Sequence, residues 1–219
     1  MKTKIKNFVL DLLFPKSCFN CQKEGVYLCE DCRSTLEISG FHQNYSTQNL
    51  KDLYYPLPYQ KSLIKNLIQK FKYEPFVKEL AEPLACLIIE HFQLMENPPS
   101  FGFNSILIPV PLEKRRLKWR GFNQATAVAE ELASSFGLKI LTDVLVKTKA
   151  TLPQMELTDE ERKENIKGVF ILKNGELIKN KKILLVDDVY TTGSTMEECA
   201  RILKIAGATE IIGIVVARG

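Results

Sequence analysis

The sequence lacks any apolar run of roughly 18 residues, the length that indicates a membrane-spanning helix. Its most apolar helix-like stretch, LAEPLACLIIEHF, is interrupted by Glu82, Pro83 and Glu90. Internal repeats and low-complexity tracts are also missing. What remains is a chain of 219 residues, 45% hydrophobic and 26% charged, a composition typical of a globular protein with one good-sized core and a small module.

Charge of one sign is not in large excess either, since the formal net charge is only +4. This mildly basic balance permits nucleic acid or phosphorylated partners without requiring them. The function therefore has to be inferred from local motifs rather than from overall composition.

The first residues, MKTKIKNFVLDLLFP, have three lysines before an apolar run but lack the features of a signal peptide. Asp11 interrupts the run, and no small-residue cleavage site follows. We predict a short amphipathic helix whose apolar stripe consists of Ile5, Phe8, Val9 and Leu12. This helix either packs on the rest of the protein or docks on the inner membrane surface through Lys2, Lys4 and Lys6. The sequence thus predicts a cytoplasmic protein, with peripheral contact at the inner face of the cytoplasmic membrane as the second option.

Six cysteines are present, and their distribution is not that of a secreted disulfide framework. Four of them follow the pattern Cys18-x2-Cys21-x7-Cys29-x2-Cys32. Two CxxC turns can present four thiolates at about 2.3 Å to one tetrahedral zinc ion, and such a closed site is structural rather than catalytic. A redox dithiol pair and an iron–sulfur cluster are the alternatives. Gly25 and a short VYL strand predict a hairpin that brings the two turns face to face.

The zinc module either holds together a segment too small to fold alone or binds partners or nucleic acid. His42 lies ten residues beyond the last cysteine and is not needed as a ligand. Cys86 and Cys199 lie far apart in helix-like segments, which predicts small buried hydrophobic side chains.

The chain between the cysteines and the acidic motif begins with a predicted connector. Residues 33–60 are polar and irregular and end in YYPLPY. Residues 61–72 then have apolar side chains at helical spacing, with lysines on the remaining surface, and a second helix is predicted from about Phe76 to Phe92.

Strands and helices alternate through the rest of the chain. The predicted strands are SILIPVP, LKILTDVLVK, VFIL, KILLVD and EIIGIVVA. The predicted helices are NQATAVAEELASSFG, which closes at Gly137, LTDEERKEN, with Thr158 and Glu161 as a capping box, and STMEECARILKIAG. This alternation predicts an α/β fold with a mostly parallel sheet flanked by helices.

The stretch KKILLVDDVYTTGST places two acids next to a hydroxyl-rich glycine turn. A central strand is predicted over Ile183–Val186 and a helix from Ser194, so the turn joins a strand's carboxyl end to a helix's amino end. Unpaired N–H groups and the helix dipole favour a phosphate there, and Gly193 permits a tight backbone. Further donors are the hydroxyls of Thr191, Thr192, Ser194 and Thr195. The turn is not a Walker A loop, because the GxxxxGK[ST] spacing and its lysine are missing.

The adjacent acids, Asp187 and Asp188, can accept hydrogen bonds from sugar hydroxyls or hold magnesium. A phosphate site beside a polyol site describes a 5-phosphoribosyl group, whereas an aspartate pair that merely caps the next helix is the alternative. The string VDDVYTTGST resembles the phosphoribosyl-pyrophosphate (PRPP) signature of type I phosphoribosyltransferases. That resemblance implies that the two acids face the ribose hydroxyls and carry any catalysis. It also implies that the 5-phosphate is held by Thr191, Thr192, Gly193, Ser194 and Thr195.

A third unusual stretch, PVPLEKRRLKWRGFNQA, has five basic residues around one acid, with Trp119 and Phe122 interleaved. Cations neutralise phosphates and exposed rings stack on bases, so the stretch suits single-stranded DNA. The predicted DNA-binding residues are Lys114, Arg115, Arg116, Lys118, Trp119 and Arg120. Because the stretch follows a strand end, it can also lie over the pyrophosphate of a nucleotide, for which we select Arg116 and Arg120. A solvated basic loop is the alternative.

Several motifs together resemble the ComF family of competence proteins over nearly the whole chain. They are, in order, the tetracysteine motif, PVPLEKRR, RGFNQA, QMELTDEERKENIKGVF and the PRPP motif. Most specific are RGFNQ and the series Gln154, Arg162, Asn165, Gly168 and Phe170. Residues 33–60 carry no recognisable family motif.

The resemblance implies a cytoplasmic protein of natural transformation that acts on single-stranded DNA arriving through the inner membrane, with a helicase-like ATPase as partner. We predict two modules, residues 1–45 with the N-terminal helix and zinc site and residues 46–219 as a phosphoribosyltransferase-like domain. The expected cofactors are structural zinc and magnesium bound with PRPP.

The rival functions are an active phosphoribosyltransferase with an unknown acceptor and an adaptor whose zinc module docks protein partners. No separate general base and no pocket for a particular base is evident in the sequence.

Overall fold

The computed structural model describes residues 15–148 and 168–219. Its helices are α1 (Glu30–Ser34), α2 (Ser62–Lys72), α3 (Ala81–Leu94), α4 (Lys114–Arg120), α5 (Gln124–Phe136) and α6 (Ser194–Ile205), with 3₁₀ turns at Lys78–Leu80 and Gly175–Ile178. Its strands are β1 (Asp52–Tyr54), β2 (Leu57–Pro58), β3 (Ser105–Pro109), β4 (Lys139–Ile140), β5 (Leu145–Lys147), β6 (Phe170–Leu172), β7 (Lys182–Tyr190) and β8 (Glu210–Arg218). The helices predicted at the N-terminus and in LTDEERKEN lie outside the described residues. Within these ranges, no helix has the length and apolar character needed to cross a bilayer.

Six strands form one sheet in which all paired strands are parallel. The order is β1-β8-β7-β3-β4, and β2 also pairs with β8. The long central strands β7 and β8 run in register, with Ile183 beside Ile211 and Val186 beside Ile214. Strands covered on both faces have continuous apolar runs, which explains the composition of ILLV and IIGIVV. The predicted α/β fold with a parallel sheet flanked by helices is confirmed.

The sheet separates two apolar cores. Along β7, Leu184 and Val186 face the core formed with α2, α3 and α5, while Ile183 and Leu185 face the core formed with α6. Successive side chains of a strand point to opposite faces. Beyond Val186, successive side chains of β7 therefore also point alternately to the two sides of the sheet.

Local capping fixes the two helices that follow β3. The Glu113 carboxylate accepts a hydrogen bond from the backbone N–H of Arg115 (3.0 Å) at the start of α4, and Gly121, with φ 85°, ends this helix. Asn123 caps α5 in the same way, accepting from the N–H of Ala125 (3.2 Å). Side-chain caps and a left-handed glycine thus place a short basic helix at the carboxyl end of β3.

The prediction of an irregular connector over residues 33–60 was wrong at its carboxyl end. Strand β1 pairs Leu53 with Gly213, and β2 pairs Leu57 with Ala217. Pro56 and Pro58 obscure these short edge strands in the sequence, because proline cannot donate to a sheet ladder and is confined to edges and breaks.

Two further elements differ from their predictions. LKILTDVLVK divides at the turn around Thr142 and Asp143 into β4, in the large sheet, and β5, which pairs antiparallel with β6 in a separate two-stranded sheet. VFIL therefore does not join the parallel sheet. The second helix begins at Ala81 rather than near Phe76, whose φ of 55° is incompatible with a helix.

The two isolated cysteines have different environments. Cys199 is buried, as predicted. Cys86 is exposed, and the prediction of a buried side chain was wrong for it. It lies on the solvent side of α3, whose opposite side buries Leu84, Leu87 and Ile88.

Candidate functional site

The four clustered cysteines converge on one small volume. Their Sγ atoms all lie within 4.8 Å of one another, and the Sγ atoms of Cys21 and Cys29 are 3.5 Å apart. A tetrahedral zinc ion with Zn–S bonds of about 2.3 Å requires sulfur–sulfur separations of about 3.8 Å. The cluster therefore fits a four-thiolate metal site.

The two CxxC motifs reach this arrangement through different local structures. A tight turn follows Cys18, whose N–H donates to the carbonyl of Lys23 (2.9 Å), and Ser17 forms a bridge with Glu24. The second motif is helical, because Cys29 precedes α1 and its carbonyl accepts from a residue one turn later. The predicted VYL strand is not formed. The bridge lies earlier in the chain, and the helix supplies the second pair of ligands.

Electrostatics within the cluster also favour a cation. Burial opposes ionisation of Cys18, but backbone N–H groups outweigh it and lower the pKa of this thiol to about 6. The Asn20 amide, 3.2 Å from the Cys32 sulfur, favours the Cys32 thiolate, yet burial and the neighbouring thiols prevail and raise its pKa to about 12. Four sulfurs this close cannot all ionise unless a metal compensates their charge. His42 takes no part, because its Nε2 lies 2.9 Å from the carboxylate of Asp52.

The acid pair lies at the carboxyl end of β7, beside the end of β3. From β3 the chain proceeds to β4 on one side, whereas β7 and β8 follow on the other side. In open parallel sheets, ligands bind in the crevice at the carboxyl edge where the strand order reverses, which here lies between β3 and β7. Asp187 and Asp188 reach that crevice from β7, and the basic helix α4 reaches it from β3.

Asp188 is buried and paired with a lysine. The Nζ of Lys72, the last residue of α2, lies 2.7 Å from its Oδ1. Burial opposes the charge on Lys72, but the carboxylates of Asp188 and Asp187 outweigh that effect and raise the pKa of the ammonium group. Sequence reasoning missed Lys72 as a site residue. The available signal was the position of Lys72 at the very end of a lysine-rich helix. Motif spacing alone cannot connect this residue to an acid more than a hundred residues away.

Asp187 lies in a different environment. Burial, together with the charge of Asp188, raises the pKa of Asp187 to about 7, while Lys72 and Lys147 partly offset the effect. Its carboxylate accepts a hydrogen bond from the backbone N–H of Asp188 (2.8 Å). Burial lowers the pKa of Lys147, which comes from β5, and the charge of Arg116 adds to this effect. Lys147 is the second cation near the acid pair that the sequence did not suggest.

The hydroxyl-rich turn joins β7 to α6 as predicted, with α6 beginning at Ser194. Gly193 has φ 76°, and a Cβ added there would collide with the ring of Tyr190. The hydroxyls of Thr192 and Ser194 lie 3.1 Å apart. The first N–H groups of α6 have no intrahelical acceptors, so this turn offers the donors that a phosphate needs. These donors begin three residues after Asp188 along the chain.

Helix α4 brings basic side chains to the same crevice. Arg116 and Arg120 are four residues apart and lie on one side of the helix. Burial lowers the pKa of Arg120, and Asp188 partly offsets this effect. The Nε of Arg120 is buried and has no hydrogen-bond partner among the described residues, so it can donate to an anionic ligand.

The other residues of the basic stretch point to solvent or to the core. Lys114, Arg115 and Lys118 are exposed, and Trp119 is 60% exposed. The expectation that Phe122 is an exposed ring was wrong: it is buried, with its ring centroid 5.3 Å from that of Phe71. The residue follows Gly121, where the chain turns back into the core.

Comparisons with known proteins agree with this arrangement. Residues 120–219 match the model of the phosphoribosyl transferase domain. Competence protein F of Haemophilus influenzae is 29% identical over 202 residues, covering 89% of this chain and 86% of the relative. Competence protein ComFC of Streptococcus pneumoniae is 35% identical over 200 residues, covering 90% of this chain and 78% of the relative. The chain belongs to the ComF family of competence proteins.

Other similarities of this ComF-family protein are more partial. DNA utilization protein YhgH of Escherichia coli K12 is 30% identical over 133 residues, 61% of this chain and 58% of that one. Among solved structures, adenine phosphoribosyltransferase from Leishmania tarentolae has a TM-score of 0.37 and 17% identity, covering 63% of this chain and 56% of that one. That similarity carries no information about a substrate. Lys72 precedes the matched domain and Arg120 is its first residue, so the two cations that face Asp188 come from either side of the boundary of the match.

Proposed function

We propose that this ComF-family protein binds single-stranded DNA during natural transformation and holds PRPP with magnesium at the carboxyl edge of its sheet. The observation that carries the proposal is the position of α4, a helix of five basic residues and one exposed tryptophan that ends beside Asp188. Phosphate-neutralising cations and a stacking ring are the groups that bind a single strand without reading its sequence. The names of the relatives, competence protein and DNA utilization protein, support a DNA-related role.

The PRPP site would use residues from three elements. The turn Thr191–Thr195 would hold the 5-phosphate through hydroxyls and backbone N–H groups, and Arg116 and Arg120 would contact the pyrophosphate. Asp187 and Asp188 would orient the ribose hydroxyls, and their carboxylate oxygens are the ligands that magnesium prefers. Bound magnesium neutralises the charge of the pyrophosphate group. Because Lys72 pairs with Asp188, it would have to share this carboxylate with the ribose hydroxyls and magnesium. Lys72 is therefore a further candidate contact for PRPP.

Zinc is the ion that we propose for Cys18, Cys21, Cys29 and Cys32. Four sulfur ligands leave no open coordination position, so the ion would stabilise the module and take no part in chemistry. The Asn20 amide would support the Cys32 thiolate from outside the ligand set.

The cellular context proposed for this protein follows from the family. It would act on the cytoplasmic side of the inner membrane, where incoming single strands emerge, together with a helicase-like ATPase. The N-terminal residues 1–14, with Lys2, Lys4 and Lys6, would provide any peripheral contact with the membrane.

Phosphoribosyl transfer to an unknown acceptor is the second candidate function. The match of residues 120–219 to the phosphoribosyl transferase domain favours it, as does the ionisable pair at the strand end. In that case the residues of the crevice would act mainly by positioning, with Asp187 and Asp188 fixing the ribose relative to the acceptor.

The test is binding of fluorescent single-stranded DNA to the zinc-loaded full chain, with and without PRPP and magnesium. We expect binding in the micromolar range or tighter at moderate salt, and a shift of the binding curve when PRPP is added, because both ligands use Arg116 and Arg120. Absence of DNA binding together with clear PRPP binding would reject the DNA proposal in favour of a transferase. Absence of both would leave the zinc module as an adaptor for proteins.

A further inference from the structure

Two exposed aromatic side chains are adjacent in sequence to the cations that face Asp188. Tyr73, the residue that follows α2, is 50% exposed, and Trp119 on α4 is 60% exposed. Each comes from a different element, so no sequence motif contains both. Aromatic rings at a basic surface are the usual platform on which the bases of a single strand stack.

Phe76 connects these two rings. Its backbone N–H donates to the carbonyl of Tyr73 (2.7 Å), which closes a tight turn after α2. Its ring packs against that of Trp119 with centroids 4.7 Å apart and planes at 80°. An edge-to-face contact of this kind fixes the orientation of the indole without covering it, and the turn holds Tyr73 close to α4.

A cation that faces Asp188 accompanies each ring. Lys72 immediately precedes Tyr73 and pairs with Asp188 at 2.7 Å. Arg120 immediately follows Trp119, and its guanidinium lies 6.0 Å from the centre of the Phe76 ring. The buried Nε of Arg120 lacks a partner among the described residues. Rings that can stack on a base thus alternate with cations that can hold the attached phosphates.

We propose that Tyr73 and Trp119 form a nucleobase platform for single-stranded DNA beside Asp188, so that one nucleotide of the strand lies over the phosphoribosyl site. The inference rests on the DNA binding proposed above and adds the place where a base stacks. A DNA base is favoured over a free base because the platform continues into the exposed cations Lys114, Arg115 and Lys118. A free base has no phosphates for these side chains to contact.

Tryptophan fluorescence gives a direct test, because Trp119 is the only tryptophan of the chain. The zinc-loaded full chain is titrated with oligothymidylate and with an abasic oligonucleotide of equal length, while anisotropy of a labelled strand measures binding independently. We expect oligothymidylate to quench the emission as a base stacks on the indole. The abasic strand should bind through its phosphates without the same quenching.

Variants separate the platform from the charges. Tyr73→Ala and Trp119→Ala should each weaken oligothymidylate binding about tenfold, the effect of losing one stacking ring, and should leave abasic binding nearly unchanged. Tyr73→Phe, which keeps the ring, should restore affinity. Phe103→Ala is the matched control, because Phe103 is fully exposed but precedes β3, at the opposite edge of the sheet.

The outcomes distinguish this inference from the proposed function. Binding by anisotropy without quenching, and with full affinity in Tyr73→Ala and Trp119→Ala, would overturn the platform and leave DNA binding intact. No binding by anisotropy would overturn the proposed function itself. Quenching by free thymine or adenine in the absence of any effect of the oligonucleotide would overturn DNA as the occupant.

Discussion

At the residue scale, Asp187 and Asp188 are adjacent in the sequence, but their carboxylates make different interactions. Period-two alternation along β7 gives them different surroundings. Asp188 pairs with Lys72 on the side of α2. Asp187 interacts with Lys147, and on the side of α6 burial, followed by the charge of Asp187, raises the pKa of Cys199. Asp188 therefore takes part in a direct ion pair, whereas the raised pKa of Asp187 lies near neutral pH.

The Lys72–Asp188 pair predicts a measurable coupling. Lys72→Met leaves a buried carboxylate without its cation and should lower the free energy of unfolding by about 1–3 kcal/mol. This value allows for the partial exposure of Lys72, whose side chain is 27% exposed. In Lys72→Met/Asp188→Asn neither group needs a partner, so the double variant should lose much less than the sum of the single variants. Urea unfolding of the zinc-loaded protein measures all three.

A matched control for this cycle is Lys65→Met, on the exposed side of the same helix. It should change the free energy of unfolding by no more than about 0.5 kcal/mol. Additive effects of Lys72→Met and Asp188→Asn would show that the two side chains do not stabilise one another in solution.

The pKa of Asp187 predicts a pH dependence of stability. Because this pKa is raised from 3.8 to about 7, the folded state holds the proton more tightly than the unfolded state. Its contribution to stability is full below about pH 4 and is lost as the pH rises through about 7. Asp187→Asn, which stays neutral, should therefore gain stability over the parent protein as the pH rises from about 5 to 7. Urea unfolding without added magnesium measures the difference, and a difference constant with pH would contradict the prediction.

At the element scale, the carboxyl edge of the sheet is assembled from pieces that carry opposite charges. Strand β7 delivers two acids, whereas the ends of α2 and α4 deliver Lys72 and Arg120. Caps at Glu113 and Gly121 make α4 a helix, so its cations divide between a buried side and an exposed side. The exposed side is available for phosphates of a strand that passes the crevice.

The exposed side of α4 predicts a salt effect. Changing Lys114, Arg115 and Lys118 together to glutamine should weaken single-stranded DNA binding and flatten its dependence on salt, because fewer counterions are released. The slope of log K against log salt should fall by about 0.7 per lost contact, or about 2 in total. Glutamine at Lys139, Lys173 and Lys179, which are exposed away from the crevice, is the control with equal charge change. An unchanged slope in the α4 variant would remove this helix from the DNA surface.

Predictability from sequence follows the range of the interactions involved. The strand KILLVD and the turn before α6 are local patterns, and their elements form as predicted, because burial on both faces demands an apolar run and a tight turn demands Gly193. Lys72 was not predictable, since its role depends on α2 ending at the edge of β7. Prolines obscured the edge strands β1 and β2 in the sequence. The burial of Phe122 was not predicted because it depends on the reversal of the chain at Gly121. The roles of such residues depend on tertiary contacts, which local sequence patterns do not reveal.

At the scale of the whole molecule, the cysteine module and the sheet share one apolar core. Cys18, Leu28 and Leu36 belong to the same cluster as the buried sides of α2 and α3. Polar contacts join the same parts. The Asn66 amide donates to the carbonyl of Phe19 (3.1 Å), and Arg33 forms an ion pair with Glu90 of α3. Since α2 ends at Lys72, the metal site and the acid pair are supported by one helix.

This shared core predicts that zinc stabilises more than its own module. Cys29→Ser removes one of four ligands and should abolish the content of about one zinc ion per chain. Its loss should lower the midpoint of the main unfolding transition, followed by circular dichroism, because the cluster that contains Cys18 also covers α2 and α3. Cys86→Ser is the control, since this exposed cysteine lies outside the cluster and its loss should leave zinc content and midpoint unchanged. A separate early transition in Cys29→Ser, with the main midpoint intact, would show instead that the module unfolds independently of the sheet.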